Sequence, residues 1–495
     1  MRHSNGCVTC KLRKKKCDER KPICVACERN RLLCSWKVAN GKSTTHVANT
    51  ARKSSSPTAK AAEATCVHQI NVPTSPNTSE DSASQQHESG LVLSPAVSMP
   101  SFCSMLPPES KLLLEHYVHK TGVLSTAHIR TFTPFVDTLV PIAASNNVLL
   151  QSMLALSGFH LSQHSTCSYD KTKYNHLAQS LQGLKYGLTK YATGDTALGL
   201  QLFLSIIILC INELVTAGQD RSIFRHLAAL RSLARSVFQN TQTQAGCDAI
   251  GLAAECYAYL LVLSGTSGKE TLDEKIITDS NFIFDFLDNS SYRTKGALFG
   301  CAQELYRLVP RATLASMRVR IADLDSSSNL QIQLSEIVTL YNVASRWEPE
   351  SDDATFKTAG RIFQQALLTL LSAALHGLKE FDVDEVIENP GINVSPVKDL
   401  ISQAITLLDE MPVRSAISTT LCWPLAVLGS YATIRSHRVT IQSFLVDMEM
   451  VFGFRNMGQT RSLLESIWSR NSPIPASILT LSEVMAEKDW KSIIG

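Results

Sequence analysis

The chain has 495 residues, of which 44% are hydrophobic and 18% charged, a composition that supports a sizeable core and excludes global disorder. The net charge of +3 is unevenly placed: residues 1–36 carry ten Lys or Arg against three acids, so they hold +7 and the other residues hold −4. A basic end on a mildly acidic chain points to a head that binds a polyanion.

Cysteine is concentrated in that head. Six of the fourteen, Cys7, Cys10, Cys17, Cys24, Cys27 and Cys34, spell C-x2-C-x6-C twice, the second copy displaced by seventeen residues. The polar amino-terminal stretch lacks a secretory pattern, so a reducing compartment is expected, where dense cysteines serve as metal ligands. A C-x2-C pair lets two thiolates converge on one ion, and the third cysteine returns after a short helical stretch. Tetrahedral zinc takes four ligands, so two Zn²⁺ on six sulfurs require two bridging thiolates. A rival parse makes one four-cysteine site from Cys7, Cys10, Cys24 and Cys27; the repeated offset favours the binuclear cluster. Six thiolates and two Zn²⁺ together carry −2, which lowers the head from +7 to about +5. With so few large apolar side chains, the head must draw most of its folding free energy from metal.

Lys11, Arg13, Lys14, Lys15 and Lys16 fill the first inter-cysteine stretch, where a metal-storage or redox tract would require no particular charge. The run GCVTCKLRKKKCDERKPICVACERNRLLC resembles the fungal Zn2Cys6 binuclear-cluster transcription factors in every cysteine spacing. The resemblance implies that Cys7 and Cys24 bridge, that Cys10 and Cys17 complete one zinc site, and that Cys27 and Cys34 complete the other. It also implies that Lys14 reads bases, that Arg13 is a second contact, and that Pro22 is the loop proline. A zinc-stapled helix entering a major groove offers Lys to guanine O6 and N7, which gives a preference for G/C-rich triplets in double-stranded DNA. Lys11, Lys15, Lys16, Arg20 and Lys21 are expected on phosphates. The same basic run suits a nuclear-import signal, so the expected compartment is the nucleus.

Residues 37–105 are expected to be a disordered Ser/Thr/Ala/Pro-rich linker, since from Lys37 to Ser101 there is no Phe, Tyr or Trp. The head is thus bounded at 1–36 and the body at 106–495. In the body, Tyr174, Leu177, Leu181, Leu184 and Leu188 form one helical stripe and Ile223, Leu227, Leu230, Ala234 and Val237 another, and both are expected to be buried. Ala197–Ile211 is the most apolar stretch, too short and interrupted for a membrane span, and reads as a core helix. Breaks are expected at Gly194-Asp195, at residues 265–268 and at 389–391. The fold class is therefore mostly α: a small zinc-cluster domain, a linker and a large all-α body.

KLLLEHYVHKTGVLS, TPFVDTLVPIA, WPLAVLGSYATIRSHR and SLLESIW make residues 112–468 similar to the fungal-specific transcription factor domain. That similarity implies an all-α regulatory region. No catalytic motif is present: His116 and His119 are spaced HxxH without a carboxylate between them, and Gly265 to Lys269 lacks the full phosphate-loop pattern. Asp279–Asp288 resembles an acidic activation segment but is expected to be a half-buried helix or strand, and Leu367–Leu371 resembles an LxxLL motif but is expected to be a buried helix. The expected function is zinc-dependent, sequence-specific DNA binding that regulates RNA polymerase II transcription, with a biosynthetic gene cluster as a family-level target and coregulators as partners. A three-base-pair readout calls for a homodimer or a partner factor. No membrane partner is expected. The alternatives are a zinc-buffering or redox-sensing protein and a chromatin-targeted helical enzyme.

Overall fold

Side chains at helical spacing need neighbouring helices to cover them, and from Pro108 onward the chain supplies such neighbours in succession. The computed structural model describes residues 10, 16–21, 24–29, 34–37, 43–46, 105–127, 132–164, 170–218, 222–240, 248–266, 274–321, 327–376, 394–470, 481, 484–485, 487–488, 490 and 493–494. The chain divides into two compact units, Met1–His87 and Glu88–Gly495.

In the first unit, helix α1 (Val25–Arg29) starts directly after Cys24. Strand β1 (Cys34–Lys37) pairs antiparallel with β2 (Ser43–His46), Cys34 opposite His46 and Trp36 opposite Thr44. The sequence reading assigns Ser43–His46 to the linker, and here the structure differs. Thr44 and Thr45 are β-branched, and antiparallel pairing satisfies backbone groups that an isolated strand would leave to water. The remainder of the expected linker, residues 38–42 and 47–104, lies outside the described residues.

The second unit is helical. Its longer helices are α2 (Pro108–His116), α3 (Asn147–His164), α4 (Asp170–Ala192), α5 (Gly199–Thr216), α6 (Ser222–Asn240), α7 (Asp248–Ser264) and α8 (Glu274–Asp288). They continue as α9 (Gln303–Ile321), α10 (Ser327–Arg346), α11 (Ala354–His376), α12 (Val397–Glu410), α13 (Cys422–Tyr431), α14 (Arg435–Phe452) and α15 (Arg455–Trp468). Helix α3 packs along α4 and α5, α5 along α6, and α11 against α9, α10, α12 and α13. Helix α7 is buried over its whole length, from Ala249 to Ser264, so its sequence shows no polar stripe.

The second stripe is buried as expected: Ile223, Leu227, Leu230, Ala234 and Val237 all face the core of α6. The first is not. On α4, Leu184 is buried, but Tyr174 is 57% and Leu181 44% exposed, and Leu177 and Leu188 are half-buried. The buried face instead carries Lys173, His176, Ser180, Leu184 and Gly187. Small side chains let α4 approach α3: Ser152 and Ser180 hydroxyls lie 2.6 Å apart, and a Cβ on Gly158 would stand 2.7 Å from Lys173 Cβ. Close approach through small residues outweighs the wider apolar stripe.

Thr196–Thr216 is long and apolar enough to cross a membrane, with mean hydropathy 2.1, yet 72% of its apolar 18-residue window is buried inside the fold, as befits the core helix the sequence reading expects. The break at Gly194 is present, with φ at +110° after α4, and α7 ends at Ser264, before Gly265. The break at 389–391 lies outside the described residues.

Candidate metal centre

Three of the six head cysteines converge. The Sγ atoms of Cys10, Cys17 and Cys24 lie within 4.8 Å of one another, with Cys10 and Cys24 buried and Cys17 half-buried. Cys10 and Cys24 Sγ are 3.6 Å apart, far beyond the ~2.05 Å of a disulfide. A tetrahedron of Zn–S bonds of ~2.3 Å has edges of about 3.8 Å, so this spacing fits two thiolates on one zinc ion. The donor set is all sulfur, with no carboxylate or imidazole in the group. Buried thiols without an ion would gain little from such proximity, whereas thiolates sharing a cation are stabilised by it.

Asp18 holds this geometry together. Its Oδ1 accepts the Val25 N–H at 2.9 Å, which fastens the residue after Cys17 to the residue after Cys24. It satisfies an otherwise orphaned donor at the start of α1. Desolvation acts against its ionised form, but hydrogen bonds from the N–H groups of Val25, Asp18 itself and Ala26, with Arg20 nearby, hold its carboxyl below the usual range. The next residue, Glu19, has φ at +61°, the left-handed turn that redirects the chain between the two cysteines. Nothing in the cysteine spacing points to Asp18; an acid two turns before a helix start is the only trace it leaves in the sequence.

Lys16, Arg20 and Lys21 are exposed beside this cluster. Cys27 lies in α1 and Cys34 opens β1. Cys7, Lys11, Arg13, Lys14, Lys15 and Pro22 lie outside the described residues.

In the second unit, the candidate motifs resolve into packing. His116 and His119 diverge, His119 exposed and His116 half-buried toward α3. His116 Nε2 lies 3.3 Å from His160 Nδ1, Thr121 Oγ1 lies 2.9 Å from the same nitrogen, and His160 Nε2 is 2.8 Å from the Phe452 carbonyl. A carbonyl only accepts, so Nε2 carries the proton and Nδ1 is an acceptor committed to its neighbours. Asp279–Asp288 belongs to α8, with Ile283, Phe284 and Leu287 buried, while Asp279, Asp285 and Asp288 pair with Arg231 and Arg307. Leu367, Leu368, Leu370 and Leu371 are buried in α11. Asp279–Asp288 is thus the half-buried helix rather than the strand that the sequence reading also allows, and Leu367–Leu371 lies in a buried helix, as expected.

A cysteine-lined centre in a small basic unit, followed in the sequence by a helical unit, defines a zinc-cluster regulator class, and comparison with known proteins agrees. Residues 5–43 match the model of the fungal Zn(2)-Cys(6) binuclear cluster domain. Residues 112–495 match the fungal specific transcription factor domain, and the chain belongs to that family. It is 53% identical over 36 residues to a transcriptional regulatory protein of Neurospora crassa, covering 7% of this chain and 5% of the relative. It is 25% identical over 243 residues to the aspercryptin biosynthesis cluster-specific transcription regulator atnN of Emericella nidulans, covering 47% of this chain and 35% of the relative. The aligned segments therefore span well under two thirds of either relative. No solved structure matches.

Proposed function

We propose that the protein is a nuclear, zinc-dependent, sequence-specific DNA-binding regulator of RNA polymerase II transcription, acting on a biosynthetic gene cluster. The convergence of Cys10, Cys17 and Cys24 within 4.8 Å carries the reading. Cys7, Cys10, Cys17, Cys24, Cys27 and Cys34 hold two Zn²⁺, Cys7 and Cys24 serving both ions. Bound zinc supplies the cross-link that a unit of this size cannot draw from apolar burial.

Lys14 and Arg13 read base edges, and Lys11, Lys15, Lys16, Arg20 and Lys21 set the head on phosphates. The exposure of Lys16, Arg20 and Lys21 supports the phosphate role. Residues 1–36 form the DNA-binding domain, 37–105 the linker and 106–495 the regulatory body; two heads, or a head and a partner factor, cooperate on G/C-rich triplets. The target class follows the likeness to a cluster-specific regulator.

Elemental analysis of the full chain, followed by titration on oligonucleotides that vary in triplet sequence, tests the reading. The expected result is two zinc ions per chain and binding that discriminates among triplets. In Lys14→Ala and Arg13→Ala zinc should be retained while discrimination falls. Binding unaffected by these substitutions, or fewer than two ions, overturns the proposal and favours zinc buffering.

A further inference from the structure

The two zinc sites of the cluster are not equally supported by the fold. Cys10, Cys17 and Cys24 already lie within 4.8 Å of one another, and Asp18 ties the residue after Cys17 to the residue after Cys24. The second site draws Cys27 from α1 and its last ligand, Cys34, from seven residues further on. Cys34 opens β1, whose one strand partner among the described residues is β2. In that register Cys34 stands opposite His46, Ser35 opposite Thr45, Trp36 opposite Thr44 and Lys37 opposite Ser43.

A two-stranded pair this short is marginal in water by itself. The sequence reinforces it at both ends. The five residues between the strands, 38–42, include Asn40-Gly41, the dipeptide that most strongly marks a hairpin turn, and Trp36, Thr44 and Thr45 are good strand formers. At the open end the last paired residue of β1 is Cys34 itself. A metal ion on Cys34 therefore anchors the end of the ladder, and the ladder fixes the backbone that presents Cys34. Linkage makes the two effects equal in free energy. Thr44, Thr45 and His46 lie past residue 43, where the matched cluster domain ends.

We infer that β2 is part of the zinc machinery: by pairing with β1 it positions Cys34 for the second zinc ion, and it extends the zinc domain from residue 36 to His46. The inference rests on the reading of Cys27 and Cys34 as ligands of a second ion, with Cys7 and Cys24 shared. The first ion does not depend on the ladder, because Cys10 and Cys17 converge with Cys24 through the turn that Asp18 holds. Loss of the ladder therefore loosens one ion and spares the other.

Successive residues of a strand turn their N–H groups to opposite edges, so one of Thr44 and Thr45 faces β1 and the other faces outward. Proline removes the N–H and is tolerated only on the outward side. The test is the time course of zinc release from the zinc-loaded full chain into an excess of a chromogenic chelator. The unaltered chain should release two ions. One of Thr44→Pro and Thr45→Pro should release one ion about tenfold faster, the equivalent of ~1.4 kcal/mol, and the other ion at the unaltered rate. The second proline variant, and Thr45→Val, which keeps a β-branched side chain, should match the unaltered chain. Unchanged rates in both proline variants, or acceleration of both ions together, overturn the inference while the two-ion reading stands. Fewer than two ions in the unaltered chain overturns that reading and the inference with it.

Discussion

The carboxyl of Glu255, fully buried on α7, accepts the backbone N–H of Gly296 at 2.5 Å, and its other oxygen accepts that of Leu298 at 3.0 Å. Gly296 has φ at +88°, and a Cβ there would meet the Gly300 carbonyl oxygen at 2.8 Å, so glycine is required where the turn closes on the acid. One side chain thus satisfies two buried donors of a turn that has no helix to satisfy them.

Burial pushes the Glu255 carboxyl up to about 7, against the pull of the Gly296, Leu298 and Ala297 N–H groups and of Lys295. A carboxyl raised in the folded state adds stability that is full below its unfolded value of 4.5 and is lost as pH rises through 7. The slope approaches ~1.4 kcal/mol per pH unit in that window. Glu255→Gln should flatten the fall in stability between pH 5 and 7.5, measured by urea unfolding at a series of pH values. An unchanged pH profile in the variant would refute this role.

His160 has the opposite sign. Burial lowers it to about 3, against the pull of the Phe452 carbonyl and with His116, His164 and Lys120 adding to the lowering. Burial likewise lowers His116 to about 4, aided by His164 and Lys120. Their contribution is full above the unfolded value of 6.5 and is lost as pH falls toward 4 and then 3. Together with Glu255 they place the stability maximum near pH 6.5. His160→Leu should cost about 1–3 kcal/mol by stranding the Phe452 carbonyl and should shift the acid-unfolding midpoint downward.

Asp18→Ala should weaken zinc affinity by about tenfold or more, because the loop that brings Cys17 beside Cys24 loses its tie to Val25. Asp18→Asn, which keeps an acceptor oxygen, should recover most of that affinity. Competition with a chromogenic chelator measures both; equal affinity in all three proteins would show that the cysteines need no such support.

Gly158→Ala should destabilise the helical unit despite the better helix propensity of alanine. The propensity gain is at most about 1 kcal/mol, whereas a Cβ standing 2.7 Å from Lys173 Cβ must force α3 and α4 apart, at a typical cost of about 1–3 kcal/mol. A rise in denaturation midpoint would contradict the close packing of these helices.

The amino-acid sequence by itself determined the head and the class of the body. Six cysteines at a repeated offset leave few chemical uses other than metal, and long segments of helical period leave few architectures other than packed helices. Covalent spacing and local periodicity are properties of the chain, so they can be read without a fold.

Only the tertiary structure decided which surfaces those helices bury. On α4 the apolar stripe through Tyr174 and Leu181 turns outward and Ser180 and Gly187 turn in, because α3 and α5 come closest where side chains are small. Glu255 reads as an ordinary acid until a segment distant in sequence brings Gly296 to it, and Asp18 as one charge among many until the turn at Glu19 folds the chain back so that Val25, seven residues on, meets it. Hydrogen bonds between remote segments depend on where the backbone returns, and that is fixed by packing over the whole unit.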